Sequence, residues 1–349
     1  MSPNGQSRHD VRMAEEIREA PEAVKRQGHD LAKPVAELAE RLRRKPPQVV
    51  VTCARGSSAH AATFGKHLIE RWLGIPVATA APNIASVYGG SLKLKDQLFL
   101  AISQSGRSAD LLAMTASAKA SGALTLCIVN AADSPLAKGC DVVLPMGAGP
   151  ELSVAATKTF VATLAALLRL VAEWTGDAAL DLAVRRLPER LAAAQDLDWS
   201  AALDALAGAE SLVTIGRGPT LAIAREAALK LKETCNLPAE AFSGAEFLHG
   251  PVALVSPDYP ILMFNPTDAA AQGMQALAGN LREKGTALFS TDSSREANGG
   301  GLPVLPPDHP ETDAVCLIQS FYVMVLRLAE RLGLDVDRPR YLRKVTSTR

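Results

Sequence analysis

The sequence predicts an α/β protein made of two tandem halves, each a parallel sheet with helices on both faces. Three observations carry this. Short apolar runs rich in β-branched residues end in turns of small and polar residues, and the turns open into stretches of helical periodicity. The same strand, turn and helix order recurs downstream, as a duplication would give. The chain also has 349 residues, more than one hydrophobic core usually serves.

Taken in order, Met1 to Ala39 reads as an arm and a helix. Val49 to Thr52 is a strand that breaks at Ala54-Arg55-Gly56-Ser57-Ser58, and Ala59 to Leu73 continues as a helix. A second strand, Gln97 to Ile102, ends in Ser103-Gln104-Ser105-Gly106-Arg107-Ser108 and opens a helix through Ala120; a third, Leu124 to Val129, follows Gly122. Strands alternating with helices of this length argue for βαβ units. Downstream, Ser211 to Ile215 is a strand, Gly216-Arg217-Gly218-Pro219-Thr220 a turn and Leu221 to Thr234 a helix. Lys284 to Phe289 stands where Ser121 to Leu126 stood in the first half. Between the halves, Asp181 to Asp204 is charged and rich in Ala and Leu, as a connecting helix would be.

Composition bounds the function. Hydrophobic residues at 48% and charged residues at 21% describe a chain that folds. Lys plus Arg and Asp plus Glu both total 37, so no excess charge points to nucleic acid or to a membrane surface. The five cysteines, Cys53, Cys127, Cys140, Cys235 and Cys316, contain no C-x-x-C pair and read as free thiols in a reducing cytoplasm. Met1 to Arg12 is polar, and no uninterrupted apolar run approaches a bilayer-spanning length. A cytoplasmic protein that uses neither metal nor cofactor is expected.

Two turns of the first half suit a phosphate. A strand that ends in Ser-Gln-Ser-Gly and runs into a helix offers hydroxyls and backbone N–H groups where the helix dipole is positive. Ligands gather at the carboxyl ends of the strands in open α/β sheets, so the Ser57-Ser58 turn and the Ser103 to Ser108 turn should neighbour each other. The plainer alternative is that these serines only cap helices. The corresponding second-half segment is Asn265-Pro266-Thr267-Asp268-Ala269-Ala270, so only one copy keeps the hydroxyl-rich turn. Neither turn contains a nucleotide-binding glycine pattern. In the second half Glu226, Lys230 and Glu233 recur at i, i+4, i+7 and share one helix face. They are either acid/base groups or a solvated stripe of ion pairs. His249 follows in a segment punctuated by Gly244, Gly250 and Pro251, with a side chain suited to proton transfer near neutrality.

Together these residues resemble the double sugar isomerase (SIS) domain family of phosphosugar isomerases and deaminases, and in particular the isomerase portion of glucosamine-6-phosphate synthase. The likeness is carried by Ser103-Gln104-Ser105-Gly106, Ala156-Thr157-Lys158, Glu226 to Glu233, Glu246-Phe247-Leu248-His249-Gly250-Pro251, Asp335 to Arg340 and the tail Leu342-Arg343-Lys344-Val345-Thr346. It runs from about Met13 to Thr346 and implies flavodoxin-like α/β/α halves. Residues 1–39 would be the arm and helix, 40–180 the phosphate-binding domain, 181–204 the connecting helix, 205–334 the acid/base domain, and 335–349 a tail closing the active site.

By this resemblance Ser58, Ser103, Gln104, Ser105 and Ser108 hold the phosphate, with Ser57 beside them; Ser108 stands where the synthase usually has Thr. Glu233 moves a proton between carbons 1 and 2 of the sugar. His249 assists ring opening and, in the synthase, reaches in from the partner subunit, which implies a homodimer with shared sites. Lys344 matches a tail lysine that can form an imine with the keto sugar, and Glu226 and Lys230 line the site. The isomerase-like region begins almost at once and residue 2 is Ser2, so no glutaminase is expected and the catabolic direction follows: glucosamine 6-phosphate to fructose 6-phosphate and ammonia. A fructosamine-6-phosphate deglycase or another amino sugar phosphate isomerase is one alternative. A non-catalytic sugar-phosphate-binding regulator is another, disfavoured by the intact Glu233, His249 and Lys344 set and by the lack of a basic DNA-binding segment.

Overall fold

The computed structural model describes residues 11–292 and 300–344. Its first stretch runs α1 (Arg12–Arg44), β1 (Val50–Cys53), α2 (Gly56–Leu73), β2 (Val77–Thr79), α3 (Asn83–Ser86), β3 (Leu98–Ser103), α4 (Ala109–Ala120), β4 (Leu124–Val129), α5 (Pro135–Gly139), β5 (Val142–Pro145), α6 (Lys158–Thr175) and α7 (Ala178–Ala194). The second continues with α8 (Leu203–Ala207), β6 (Leu212–Gly216), α9 (Thr220–Cys235), β7 (Ala239–Ser243), α10 (Gly244–Phe247), β8 (Pro260–Phe264), α11 (Ala271–Glu283), β9 (Ala287–Thr291), β10 (Gly301–Leu302) and α12 (Pro310–Arg331).

The expected strands and helices of the first half are present within a few residues, as are β6 and α9. The central strands β1, β3, β6 and β8 are buried along their whole length, as parallel strands covered on both faces must be. The sheets are five-stranded and parallel, in the orders β2-β1-β3-β4-β5 and β10-β9-β8-β6-β7. Counted from the first strand of each half, both read 2-1-3-4-5, so the duplication inferred from sequence is a duplication of topology. In this order the chain turns away to opposite sides between strands 1 and 3, and the loops beyond their carboxyl ends form the crevice where such sheets bind ligands.

The chain separates into two compact units, one of Met1–Pro21, Leu152–Thr157 and Arg186–Leu342, the other of Glu22–Glu151, Lys158–Arg185 and Arg343–Arg349. The unit of the first sheet has α6 as its core helix; fifteen of its eighteen residues are buried, so no polar face marks it. Gln27 of α1 donates to the carbonyls of Met146 and Ala162 at 2.7 Å each. In the unit of the second sheet α12 is the core helix, with Phe321 edge-on to Phe264 of β8. The start of α1 is held here by Asp337, which accepts from the N–H groups of Arg12 and Met13 at 2.9 and 3.1 Å.

Two sequence readings change in detail. The segment expected as one connecting helix is helical only to Ala194, and a 3-10 turn at Ser200–Ala202 and the short α8 follow. The segment around His249 contains α10 and a 3-10 turn at Pro251–Leu254. Among the described residues, α12 alone is long and apolar enough to cross a membrane by composition, and 83% of its most apolar window is buried inside the protein.

Candidate active site

The loops after β1 and β3 leave adjacent strands whose register pairs Val50 with Leu98 and Cys53 with Ala101. They therefore emerge side by side at the switch point of the first sheet. Ser57 and Ser58 are not caps: Arg55 holds the N-cap position of α2 with no side-chain cap bond, and the two serines sit in the first helical turn, where backbone N–H groups lack intrahelical acceptors. Ser108 occupies the N-cap position of α4, yet its side chain makes no cap bond either. The capping alternative fails for both turns.

The Ser103 to Ser108 loop is held in shape from beneath. Ser103, buried at the end of β3, accepts the Gly106 N–H at Oγ (3.0 Å). Gly106 has φ +62°, and a Cβ there would lie 2.2 Å from Ser134 Oγ, so only glycine fits. The carbonyls of Gln104 and Gly106 accept from Ala131 and Leu136 at 3.3 and 3.2 Å. The half-buried Gln104, Ser105 and Ser108 are left at the surface of a rigid loop at a helix N-terminus. Arg55 adds a positive charge that sequence reading did not single out. Its guanidinium donates at 2.8 Å to Asp110, a buried carboxylate that also accepts from Ser86 at 2.8 Å.

The same place in the second sheet is chemically closed to an anion. Thr220 Oγ1 is taken up by the N–H and carbonyl of Arg217 and by the carbonyl of Phe264 at 2.7 Å. A Cβ at Gly216 would lie 2.2 Å from the Thr220 carbonyl oxygen. Thr267 donates to Asp313 at 2.8 Å, Pro266 has no N–H to give, and Ala270, at the N-cap position of α11, has no hydroxyl. The asymmetry read from the sequence is thus an asymmetry of hydrogen bonding.

Glu226, Lys230 and Glu233 come together on α9, and not as a solvated stripe. The side chains of Glu226 and Lys230 are fully buried and that of Glu233 is 20% exposed. Lys230 Nζ lies 3.5 Å from Glu226 Oε1 and in close ion-pair contact with Glu233 Oε2. Tyr322 of α12 directs its hydroxyl at Glu226 Oε1 from 3.4 Å. Two carboxylates thus share one ammonium, and of the three side chains Glu233 alone reaches the surface.

A family model for the SIS domain matches residues 44–172 and 205–294. The chain belongs to the SIS domain family. It is 34% identical over 315 residues to a glutamine–fructose-6-phosphate aminotransferase (isomerizing) of Symbiobacterium thermophilum, covering 84% of this chain and 51% of that protein. It is 35% identical over 367 residues to the protein of that name from Pseudomonas syringae pv. tomato, covering 95% and 58%. The chain thus spans about half the length of these curated relatives. Among solved structures, a candidate phosphosugar isomerase from Silicibacter pomeroyi DSS-3 matches with a TM-score of 0.89 at 45% identity, covering 94% of this chain and 100% of that one. The C-terminal domain of glucosamine-fructose-6-phosphate aminotransferase from Francisella tularensis matches with a TM-score of 0.84 at 27% identity, covering 97% and 100%.

Within this SIS protein two other expected residues, Lys344 and His249, are described in turn. Lys344 lies in the unit of the first sheet, where its Nζ donates to Glu151 Oε2 at 3.0 Å. Glu151 is buried and also accepts the Thr159 N–H and hydroxyl at 3.0 and 2.7 Å. Sequence reading missed Glu151; the signal available was a lone acid seven residues before Lys158. His249 is exposed, one turn beyond α10, with its N–H on the Glu246 carbonyl at 3.0 Å. Leu248 and Leu254, on either side of it, are more than half exposed. Gly250 follows at φ +142°, a conformation L side chains rarely adopt.

Proposed function

We propose that this SIS protein is a cytoplasmic phosphosugar isomerase and, more finely, an isomerising glucosamine-6-phosphate deaminase. The observation that carries the reading is the buried Glu226, Lys230 and Glu233 cluster with Glu233 as its one reachable member, because aldose–ketose interconversion of a sugar phosphate needs one positioned proton carrier and a phosphate anchor. The anchor is assigned to Ser57, Ser58, Ser103, Gln104, Ser105 and Ser108. His249 helps open the pyranose. Glu233 then takes the proton from carbon 2 of the open-chain amino aldehyde and returns one to carbon 1, leaving an alcohol at carbon 1 and an imine at carbon 2. Water adds to the imine and ammonia leaves, giving fructose 6-phosphate. Binding through the phosphate supplies orientation that the proton transfer itself does not. Lys230 keeps the Glu233 carboxylate fixed, and Lys344, seated by Glu151, is the tail cation of the site.

The exposed Leu248 and Leu254 beside His249 support a loop that faces a second copy of the chain, so a homodimer with shared sites is part of the proposal. The test is ammonia release across a panel of amino sugar 6-phosphates and fructosamine 6-phosphates. Glucosamine 6-phosphate is expected to turn over with equimolar ammonia and fructose 6-phosphate, and Glu233→Gln to lower kcat by at least ~100-fold with little change in sugar-phosphate binding. Release of a free amine from fructosamine 6-phosphates instead would make the chain a deglycase. Near-parental kcat in Glu233→Gln would remove the assignment of the base.

A further inference from the structure

The mouths of the two crevice loops of the first sheet are joined by one ion pair. Arg55 stands at the N-cap of α2, three residues before Ser58, and Asp110 lies in the first turn of α4, two residues after Ser108. The Arg55 guanidinium donates through Nη2 to Asp110 Oδ2 at 2.8 Å, and Ser86, the last residue of α3, donates to Asp110 Oδ1 at 2.8 Å. Both charges act on the thiol of Cys53, the last residue of β1, so the pair sits at the carboxyl end of that strand.

The two partners are unequally placed. The Asp110 side chain is 3% exposed and that of Arg55 52%. A buried carboxylate gripped from two sides fixes the direction of a guanidinium whose far edge is in water. Among the described residues the Arg55 side chain makes no other hydrogen bond, so its Nε and Nη1 N–H groups are unspent, and a guanidinium can only donate. The next residue, Gly56, has φ +53°, and a Cβ there would meet nothing within 4 Å. The approach to the Ser57 and Ser58 turn is therefore open, bare backbone. Arg107, in the second loop, is exposed as well. An ion pair with one member half in water contributes little stability, whereas a fixed, unspent guanidinium beside a hydroxyl-rich helix N-terminus is suited to a phosphate dianion.

We propose that Arg55 is a ligand of the substrate phosphate, that Asp110 and Ser86 are its positioning residues, and that this clamp makes the site select a dianionic phosphate monoester over a singly charged ester. The inference rests on the phosphate anchor of the proposed function and is independent of the deaminase chemistry. At pH 8 a phosphate monoester, with a second pKa of about 6, is a dianion, whereas a sulfate monoester carries a single charge. Serine hydroxyls and backbone N–H groups hold either one, but the guanidinium gains about twice as much from the doubly charged one.

The probes are glucitol 6-phosphate and glucitol 6-sulfate, which have no carbonyl and so are not turned over, titrated into the full chain by isothermal calorimetry at pH 8. In the parent the phosphate is expected to bind at least about tenfold more tightly than the sulfate. Arg55→Ala should raise Kd for the phosphate about 30-fold, roughly 2 kcal/mol, and for the sulfate only about fivefold; an arginine that merely braced the two loops would raise both by the same factor. Arg55→Lys, which keeps the charge, should recover part of the loss. Asp110→Asn should weaken phosphate binding about fivefold in the parent and not at all in Arg55→Ala, because a positioning residue acts only through the group it positions. Ser105→Ala is the control for the anchor itself. Phosphate binding that falls in Ser105→Ala but not in Arg55→Ala would overturn the role of Arg55 and leave the anchor standing, whereas no phosphate binding in the parent would overturn both. Equal factors for the two esters in Arg55→Ala, or an Asp110→Asn effect of the same size in both backgrounds, would likewise overturn the proposal.

Discussion

Replacing Lys230 by Met tests the buried cluster directly. The side chains are of similar length and Met packs well in cores, so the loss is chiefly that of the charge. Lys230 and Glu226 are both fully buried, and breaking a buried ion pair by removing one partner typically costs about 3–5 kcal/mol, because the other charge stays behind. The cost should lie within that range, a fall in melting temperature on the order of 10 °C. Differential scanning calorimetry reads it. Adding Glu226→Gln to the Lys230→Met background removes the stranded carboxylate and should recover at least about half of the loss, a coupling that two independent surface charges would not show. A single variant within about 1 kcal/mol of the parent, or a double variant less stable than the single one, would refute the picture of two carboxylates held by one ammonium.

Three further outcomes follow from the same geometry. Ser105→Ala should raise KM for phosphorylated sugars roughly tenfold with a smaller effect on kcat, whereas Thr267→Ala should cost about 1 kcal/mol of stability by stripping a donor from Asp313 and leave KM unchanged; equal KM effects would erase the functional difference between the halves. Burial pushes the thiols of Cys53, Cys235 and Cys316 up to about 12, 11 and 12, while the Cys140 thiol, in contact with that of Cys127, is lowered. Iodoacetamide at pH 8 should therefore modify Cys140 first in the native protein, as peptide mass spectrometry would show. Co-expressed His249→Ala and Glu233→Gln subunits, each with little activity alone, should regain about a quarter of parental activity, since about half the dimers are mixed and each mixed dimer has one intact site; activity no higher than that of either variant alone in verified heterodimers would place His249 in its own subunit's site.

Much of the fold was legible because central parallel strands are runs of apolar residues ended by conspicuous turns. Five strands have no counterpart in the sequence reading: β2, β5, β7 and β10 are two to five residues long and only partly buried, so neither period nor apolarity marks them, whereas β8 is buried along its whole length and was passed over although its apolar run is plain. The core helix α6 was overlooked for the opposite reason, being buried nearly all round. The site was legible where chemistry coincides with local spacing. Glu226, Lys230 and Glu233 declare themselves at i, i+4, i+7, but that pattern reads the same for a solvated stripe, and what separates the two is burial against α12, a partner about ninety residues away in sequence. Glu151 escaped because its partners, Thr159 and Lys344, are joined to it by folding and by no local period.

The two halves share one topology and differ in how their crevice loops use their hydroxyls. Both sheets have the 2-1-3-4-5 order, so both present two loops beyond the carboxyl ends of strands 1 and 3. In the first half Gln104, Ser105 and Ser108 are half-buried on a backbone pinned by the N–H groups of Ala131 and Leu136, and the N-cap side chains are not spent on capping. In the second, Thr220 and Thr267 spend their hydroxyls on Arg217, Phe264 and Asp313. Glu233 lies toward the far end of α9, about three and a half turns from that crevice, on a helix face that carries a buried ammonium between two acids.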